Sequence, residues 1–303
     1  MNLLEIKRDL NKSALALLLY VLSVQILAVL LVLLLPLTKI PLLSDQYICM
    51  VISVIISYCL LDNIFPKETV TEPGPEKPNF SVLSFLHYFM LFQAAQWIGG
   101  IINIPIITLF TKLGLNLSFS EEAARGGSLT NAPMLFYTIL VAPLMEELVF
   151  RGIFYRRFRS YGKYFAAFYT AFFFALMHSN FLQFAPAFSM GMILFFIRDR
   201  HGLPYSILLH FSNNLLAIVV NNLSQDSTLI QGIYGGFLLA GMFYGIYFVL
   251  KNRTHFAEDS QYEKEHSLSL KQFFSSPLLW VDIVLMVALA CVSLFVPMDA
   301  GAM

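Results

Sequence analysis

Charge is scarce in this sequence. Asp, Glu, Lys and Arg make up 13% of its 303 residues, against about a quarter in soluble domains. So few charges cannot coat a water-soluble surface of that size. The formal net charge is zero, which provides no basic face for nucleic acid. Cysteine is scarcer still: Cys49 and Cys59 lie in one apolar run and Cys291 in another. They make neither a disulfide framework nor a metal-type spacing, and read as small buried hydrophobes. A G-x-S-x-G elbow, an H-E-x-x-H helix and a glycine–aspartate pair within a span are all missing. Nothing therefore signals a serine nucleophile, a helix-borne zinc site or an aspartyl dyad. No internal repeat or low-complexity tract stands out.

What is abundant is apolar. Hydrophobic residues make up 58% of the chain, and the mean hydropathy is +0.71. They fall in runs near or above the ~18 residues that mark a bilayer span. Nine candidate spans follow: 13–36, 47–65, 84–111, 133–155, 164–178, 181–198, 204–222, 229–250 and 278–297. The fifth is short and joined almost directly to the sixth, so eight is also possible. The expected fold is all-α, a polytopic transmembrane bundle of eight to nine spans forming one membrane domain over 1–303. Lys7, Arg8 and Lys12 precede the first run, which exceeds the ~7–15 residues of a signal-peptide core; it reads as a retained anchor helix.

Basic residues orient the bundle. With the N-terminus in the cytoplasm, alternate spans leave only Lys39, Lys112 and Arg125 outside. The other basic residues fall inside, except Arg151, which sits within a span. The segment 251–277 reads as a cytoplasmic loop. A short chain without eukaryotic targeting features is expected in a bacterial plasma membrane as a multi-pass protein. Gly232, Gly236 and Ala240, and again Gly241 and Gly245, recur every four residues, a spacing that lets helix backbones approach. Gly99, Gly100 and Pro105 are expected to bend the third span. Gln93, Gln96 and Asn103 on that span either hydrogen-bond between helices or face a polar cavity.

The informative segment is APLMEELVFRG, residues 142–152. Glu146 and Glu147 lie roughly 15 Å along a helix from Arg156, near the bilayer midplane. An ionised residue there costs about 2.5–3.5 kcal/mol on insertion scales, so pairing or protonation must offset it. Glu147 and Arg151 are i,i+4 neighbours on one face, while Glu146 points about 100° away. A salt-bridged clamp between helices would account for this helix alone. Further spans add His178, one turn after Phe174, and His210 with Asn214 at i,i+4. Two imidazoles, two carboxylates and an amide are the inventory for general acid–base chemistry with oxyanion stabilisation. On straight helices His210 lies shallower and His178 deeper than Glu146, a gap that tilt or a kink must close.

The motifs E-E-x-x-x-R (146–151), F-x-x-x-H (174–178) and H-x-x-x-N (210–214), in order on separate spans, resemble the CAAX-protease and bacteriocin-processing family, also called Abi. Pro143 and Gly152 are similar to its pattern as well, and the resemblance covers about 133–222, the expected catalytic core. It implies an intramembrane endopeptidase acting on membrane-associated, possibly lipid-modified, peptide or protein tails. By the same resemblance Glu146 activates water, His178 assists, Glu147 and Arg151 hold the geometry, and His210 and Asn214 polarise the scissile carbonyl. The family has been described both as metal-dependent and as metal-free. A Zn²⁺, if present, would sit on Glu146, His178 and His210; no cofactor is otherwise implied. Asn213 beside Asn214 leaves the amide ambiguous by one residue. The alternatives are a catalytically idle immunity or scaffold protein of the same fold, and a transporter whose buried charges line an ion path.

Overall fold

Long runs of Leu, Ile, Val and Phe become helices in a bilayer because every backbone polar group must then find its partner within the segment. The computed structural model describes residues 3–65, 79–125, 129–225, 227–266, 268 and 270–295, and among these there is no strand. The helices are α1 (Leu3–Leu34), α2 (Gln46–Ile64), α3 (Val82–Lys112) and the short α4 (Ser118–Arg125). They continue as α5 (Ala132–Tyr161), α6 (Lys163–Met177), α7 (Phe181–Arg200), α8 (Leu203–Ser224), α9 (Thr228–Lys251), α10 (Arg253–His266) and α11 (Pro277–Ser293). Seven of them are long and apolar enough to cross a membrane, and two further apolar helices, Lys163–Met177 and Pro277–Val292, are shorter. These nine match the nine runs of the sequence. Starts are set by local chemistry: the Asp45 side chain accepts from the Tyr47 and Ile48 amides, and Ser81 with Ser84 forms a capping box on α3.

The segment read as a loop after α9 contains α10, fourteen residues of helix. Its sequence, RTHFAEDSQYEKEH, has no Gly or Pro to break it. The glycine rows of α9 also divide. A Cβ at Gly241 would lie 2.4 Å from Gln93 Cβ, and one at Gly245 would lie 2.6 Å from Ala94 Cβ, so these two let α9 close on α3. Gly232 and Gly236 have nothing within 4 Å and, with Ala240, are exposed; the expected packing role is wrong for that row. Spacing marks both rows alike because it cannot say which face has a neighbour. Cys49 is buried as expected, but Cys59 and Cys291 are exposed, on apolar helices whose outer faces meet lipid.

Two amides of α3, Gln96 and Asn103, bond between helices, while Gln93 donates to the Phe89 carbonyl of its own helix at 3.3 Å; Gln96 also lines a pocket between α3, α8 and α9. Gln96 donates to Asn213 Oδ1 on α8 at 2.8 Å and accepts from the Tyr234 hydroxyl on α9 at 3.2 Å. Asn103 donates to the Leu182 carbonyl on α7 at 2.6 Å, and that carbonyl needs a donor because Pro186, four residues on, has no N–H. Gly99 permits the approach: a Cβ there would lie 2.5 Å from the Pro186 nitrogen. One end of the bundle is tied by charge. Arg157 and Tyr161 of α5 reach Asp9 of α1, Arg159 reaches Asp199 of α7 at 2.5 Å, and Lys163 reaches Asp259 of α10 at 3.0 Å.

Candidate active site

At 1.5 Å per residue, the fifteen residues of α6 rise about 22 Å, short of the ~30 Å hydrocarbon core. Its C-terminus therefore stops inside the bundle. Ser179 turns the chain with a φ of 47°, and Asn180 caps α7 by accepting from the Leu182 amide. Irregular backbone at such depth persists only when protein covers it. Asn180 donates to the Ser120 carbonyl of α4 at 2.9 Å, and Asn103 covers the Leu182 carbonyl as described. His178 stands at this buried corner. Its Nδ1–H donates to the Phe174 carbonyl at 2.8 Å. A carbonyl can only accept, so this bond fixes the tautomer and leaves Nε2 as the free nitrogen.

The acid helix is not a plain α-helix. Residues Phe136–Val141 and Leu148–Phe154 of α5 are π-helical and flank the α-helical Ala142–Glu147. A π turn takes an extra residue and re-aims the side chains after it, and such turns recur at functional sites. Pro143 lies just after the first of them. The Ala142 amide goes to the Tyr137 carbonyl, and Pro143 has no N–H for the Thr138 carbonyl five residues back. Asn214 Nδ2 donates to that carbonyl at 3.1 Å.

Four of the six expected residues meet directly. Glu147 and Arg151 are both fully buried, with Arg151 Nη1 at 3.1 Å from Glu147 Oε1. That nitrogen makes no hydrogen bond, so the contact is ionic rather than an aligned bond. Arg151 Nη2 donates to the Gly191 carbonyl at 2.9 Å, and the guanidinium lies 4.5 Å over the Phe174 ring. His210 Nδ1 donates to Glu147 Oε1 at 3.0 Å, and its Nε2 faces Glu146 Oε2 at 3.6 Å. With a carboxylate at each nitrogen, the ring is placed to donate from both. The side chains thus follow one another in the order Arg151, Glu147, His210 and Glu146. The fifth residue, His178, joins through Phe174, whose ring meets the His178 and His210 rings edge-on at 5.1 and 5.6 Å. The sixth, Asn214, turns to the backbone of α5 as described.

Burial separates the acids. The Glu147 side chain is 0% exposed and that of Glu146 is 19% exposed. Glu146 also interacts electrostatically with Tyr20 of α1 and Tyr137. The residues first read from sequence missed both tyrosines, which are hidden in apolar runs without a polar neighbour. They missed Gly191 too, where a Cβ would meet Arg151 Nη2 and Ala171 at 3.1 Å. Arg198, at the end of the sixth run and among the basic residues expected on the cytoplasmic side, is instead a core residue. It is 7% exposed, donates from Nε to the Arg151 carbonyl at 3.0 Å and lies 4.4 Å over Tyr155.

A metal of the kind allowed by the resemblance would need Glu146, His178 and His210 as ligands. These do not fit as arranged. His210 directs one nitrogen to each glutamate, and among the described residues no three His, Cys, Asp or Glu side chains converge as a ligand set.

No curated protein and no solved structure matches the chain. A family model does: Rce1-like, described as type II CAAX prenyl endopeptidase, over residues 128–216. That segment contains Glu146, Glu147, Arg151, His178, His210 and Asn214, and over it the chain is similar to the type II CAAX prenyl endopeptidases.

Proposed function

We propose that this protein is an intramembrane endopeptidase of the CAAX type that hydrolyses a peptide bond of a membrane-associated peptide or protein tail. The observation that carries the reading is the division between the two acids. Glu147 is buried in contact with Arg151 and His210, so it is engaged in structure. Glu146 is half-buried, and its carboxylate faces the His210 imidazole at 3.6 Å. It is placed to take a proton from water, with His178 Nε2 as the second acceptor. The resulting hydroxide adds to the scissile carbonyl carbon. Charge on the carbonyl oxygen is met by His210 and by the second N–H of Asn214, whose first is held by Thr138. The C–N bond then breaks, and Glu146 returns its proton to the leaving amine. The test is comparative proteomics of membranes from cells carrying the wild type or Glu146→Gln: uncleaved tails accumulate in the variant. Identical membrane proteomes from an expressed variant overturn the reading and leave the idle scaffold.

Three further outcomes are expected. Because no ligand triad is assembled, activity survives exhaustive treatment with a strong chelator; loss restored by stoichiometric Zn²⁺ overturns the metal-free mechanism and keeps the protease. Asn214→Ala lowers turnover by about 10²–10³ and also destabilises the fold by about 1–3 kcal/mol, because it strips the Thr138 carbonyl. Asn213→Ala removes only the bond from Gln96, so stability falls while turnover per folded molecule holds. Paired melting curves and rates on one substrate check both; normal turnover by Asn214→Ala removes it from the mechanism. Finally, the end tied by Arg157, Arg159 and Lys163 faces the cytoplasm. Ser160→Cys and Ser260→Cys, at exposed positions, resist impermeant thiol reagents in intact cells, and labelling from outside inverts the orientation.

A further inference from the structure

A cavity of about 850 Å³ lies away from the polar centre, between α3, α7 and α9, with α6 and α10 at one end. Its volume is in the range of small-molecule sites. Its wall is apolar through Leu91, Ile193 and Met242. Along α3 it runs from His87 to Ile98, roughly 16 Å at helical rise. Ile98 at the deep end, and Ile246 and Val249 nearer the other, are 52%, 49% and 54% exposed on the outer faces of spanning helices, so the cavity opens sideways towards lipid.

The other end is polar and tilts positive. Arg159, Lys163 and Arg200 stand against two carboxylates, Asp199 and Asp259, and both acids are already engaged. Asp199 accepts from Arg159 at 2.5 Å and from Tyr155 at 2.7 Å. Asp259 accepts from Lys163 at 3.0 Å and from Tyr164 at 2.8 Å. Burial pushes the Asp259 carboxyl up, but the Tyr164 and Lys163 hydrogen bonds outweigh it and hold the group below the usual carboxylate range. The tie between α6 and α10 therefore persists at neutral pH. Arg200 makes no ion pair among the described residues and is exposed, and His87 and His255 line the same end. Arg200 thus carries a charge that no carboxylate offsets among the described residues, beside the Tyr88 hydroxyl and His87 with which it interacts.

An apolar chamber open to the bilayer and closed by a basic ring suits a molecule with both a tail and an acidic head. We propose that this cavity is a binding site for an anionic membrane phospholipid, its acyl chain between α3, α7 and α9 and its phosphate beside Arg200 and Lys163. The assignment does not depend on proteolysis.

The test uses the full chain in detergent, offered dioleoyl phosphatidylglycerol and dioleoyl phosphatidylcholine in equal amounts, with bound lipid counted by native mass spectrometry. The wild type retains phosphatidylglycerol about tenfold over phosphatidylcholine. The double variant Arg200→Gln, Lys163→Gln loses that preference. Ile246→Trp, which fills the chamber from an exposed position, loses both lipids while its melting curve stays with that of the wild type. Equal retention of the two lipids by the wild type overturns the anionic assignment. An undiminished preference in the double variant, or unchanged lipid on a folded Ile246→Trp protein, overturns the site.

Discussion

Glu146→Gln abolishes cleavage and leaves the protein folded. Glutamine keeps the shape of the side chain and its reach towards His210 Nε2, 3.6 Å from the carboxylate, but it cannot take a proton from water. A positioned general base contributes about 10²–10⁴ in rate, so turnover falls by that order. Stability stays near the wild type because Glu146 is the partly solvated acid, and the contacts of Arg151 with Glu147 and Gly191 do not pass through it. The measurement pairs single-turnover cleavage of a reconstituted substrate with a thermal melt in detergent. A variant that cleaves within a few-fold of the wild type removes Glu146 as the base. A variant that melts as early as the one described next shows that both acids are structural.

Arg151→Ala loses folded protein before it loses chemistry. The guanidinium is fully buried and serves three neighbours: Glu147, the Gly191 carbonyl and the face of Phe174. Removing it leaves a carboxylate with 0% exposure against His210 and the Ser206 hydroxyl. Breaking a buried pair from one side costs about 3–5 kcal/mol, a large part of the ~5–15 kcal/mol margin of a typical fold. Arg151→Lys retains the charge but not the planar fork that spans Glu147 and Gly191, so it restores only part of the loss. The check is yield of monodisperse protein and melting temperature for the three forms. A wild-type melt for Arg151→Ala shows that Glu147 is stabilised by other means and removes the clamp from this account.

The polar centre was legible because charged groups are rare enough in apolar helices that each must be explained. Spacing placed Arg151 on Glu147, and the separation of Glu146 from Glu147 by about a third of a turn is the division seen in burial. Fold class followed from run length alone. What escaped was whatever depends on a neighbour. His210 and Asn214 share a face, but their partners, Glu147 and the Thr138 carbonyl, lie on another helix. The paired π turns of α5 follow no period of side-chain polarity, so nothing in a hydropathy pattern marks them. Arg198, a cation at the end of an apolar run, has the environment of a core residue, set by Tyr155 and a backbone carbonyl 47 positions away.

Two prolines in this bundle have the same consequence. Pro143 and Pro186 each withhold an amide from a carbonyl, and an asparagine from another helix supplies the missing donor: Asn214 to Thr138 and Asn103 to Leu182. In lipid, apolar helix faces are nearly interchangeable, since tails pack against leucine as readily as leucine does. Sliding one helix past another by a residue costs little dispersion energy. A vacant carbonyl is different, because only one side chain at one height can fill it, and leaving it bare in hydrocarbon costs several kcal/mol. The two proline–asparagine pairs thus act as keys that index α8 against α5 and α3 against α7 during assembly. The height of His210, one turn before Asn214 on α8, is fixed against Glu147 on α5 by the first of these keys.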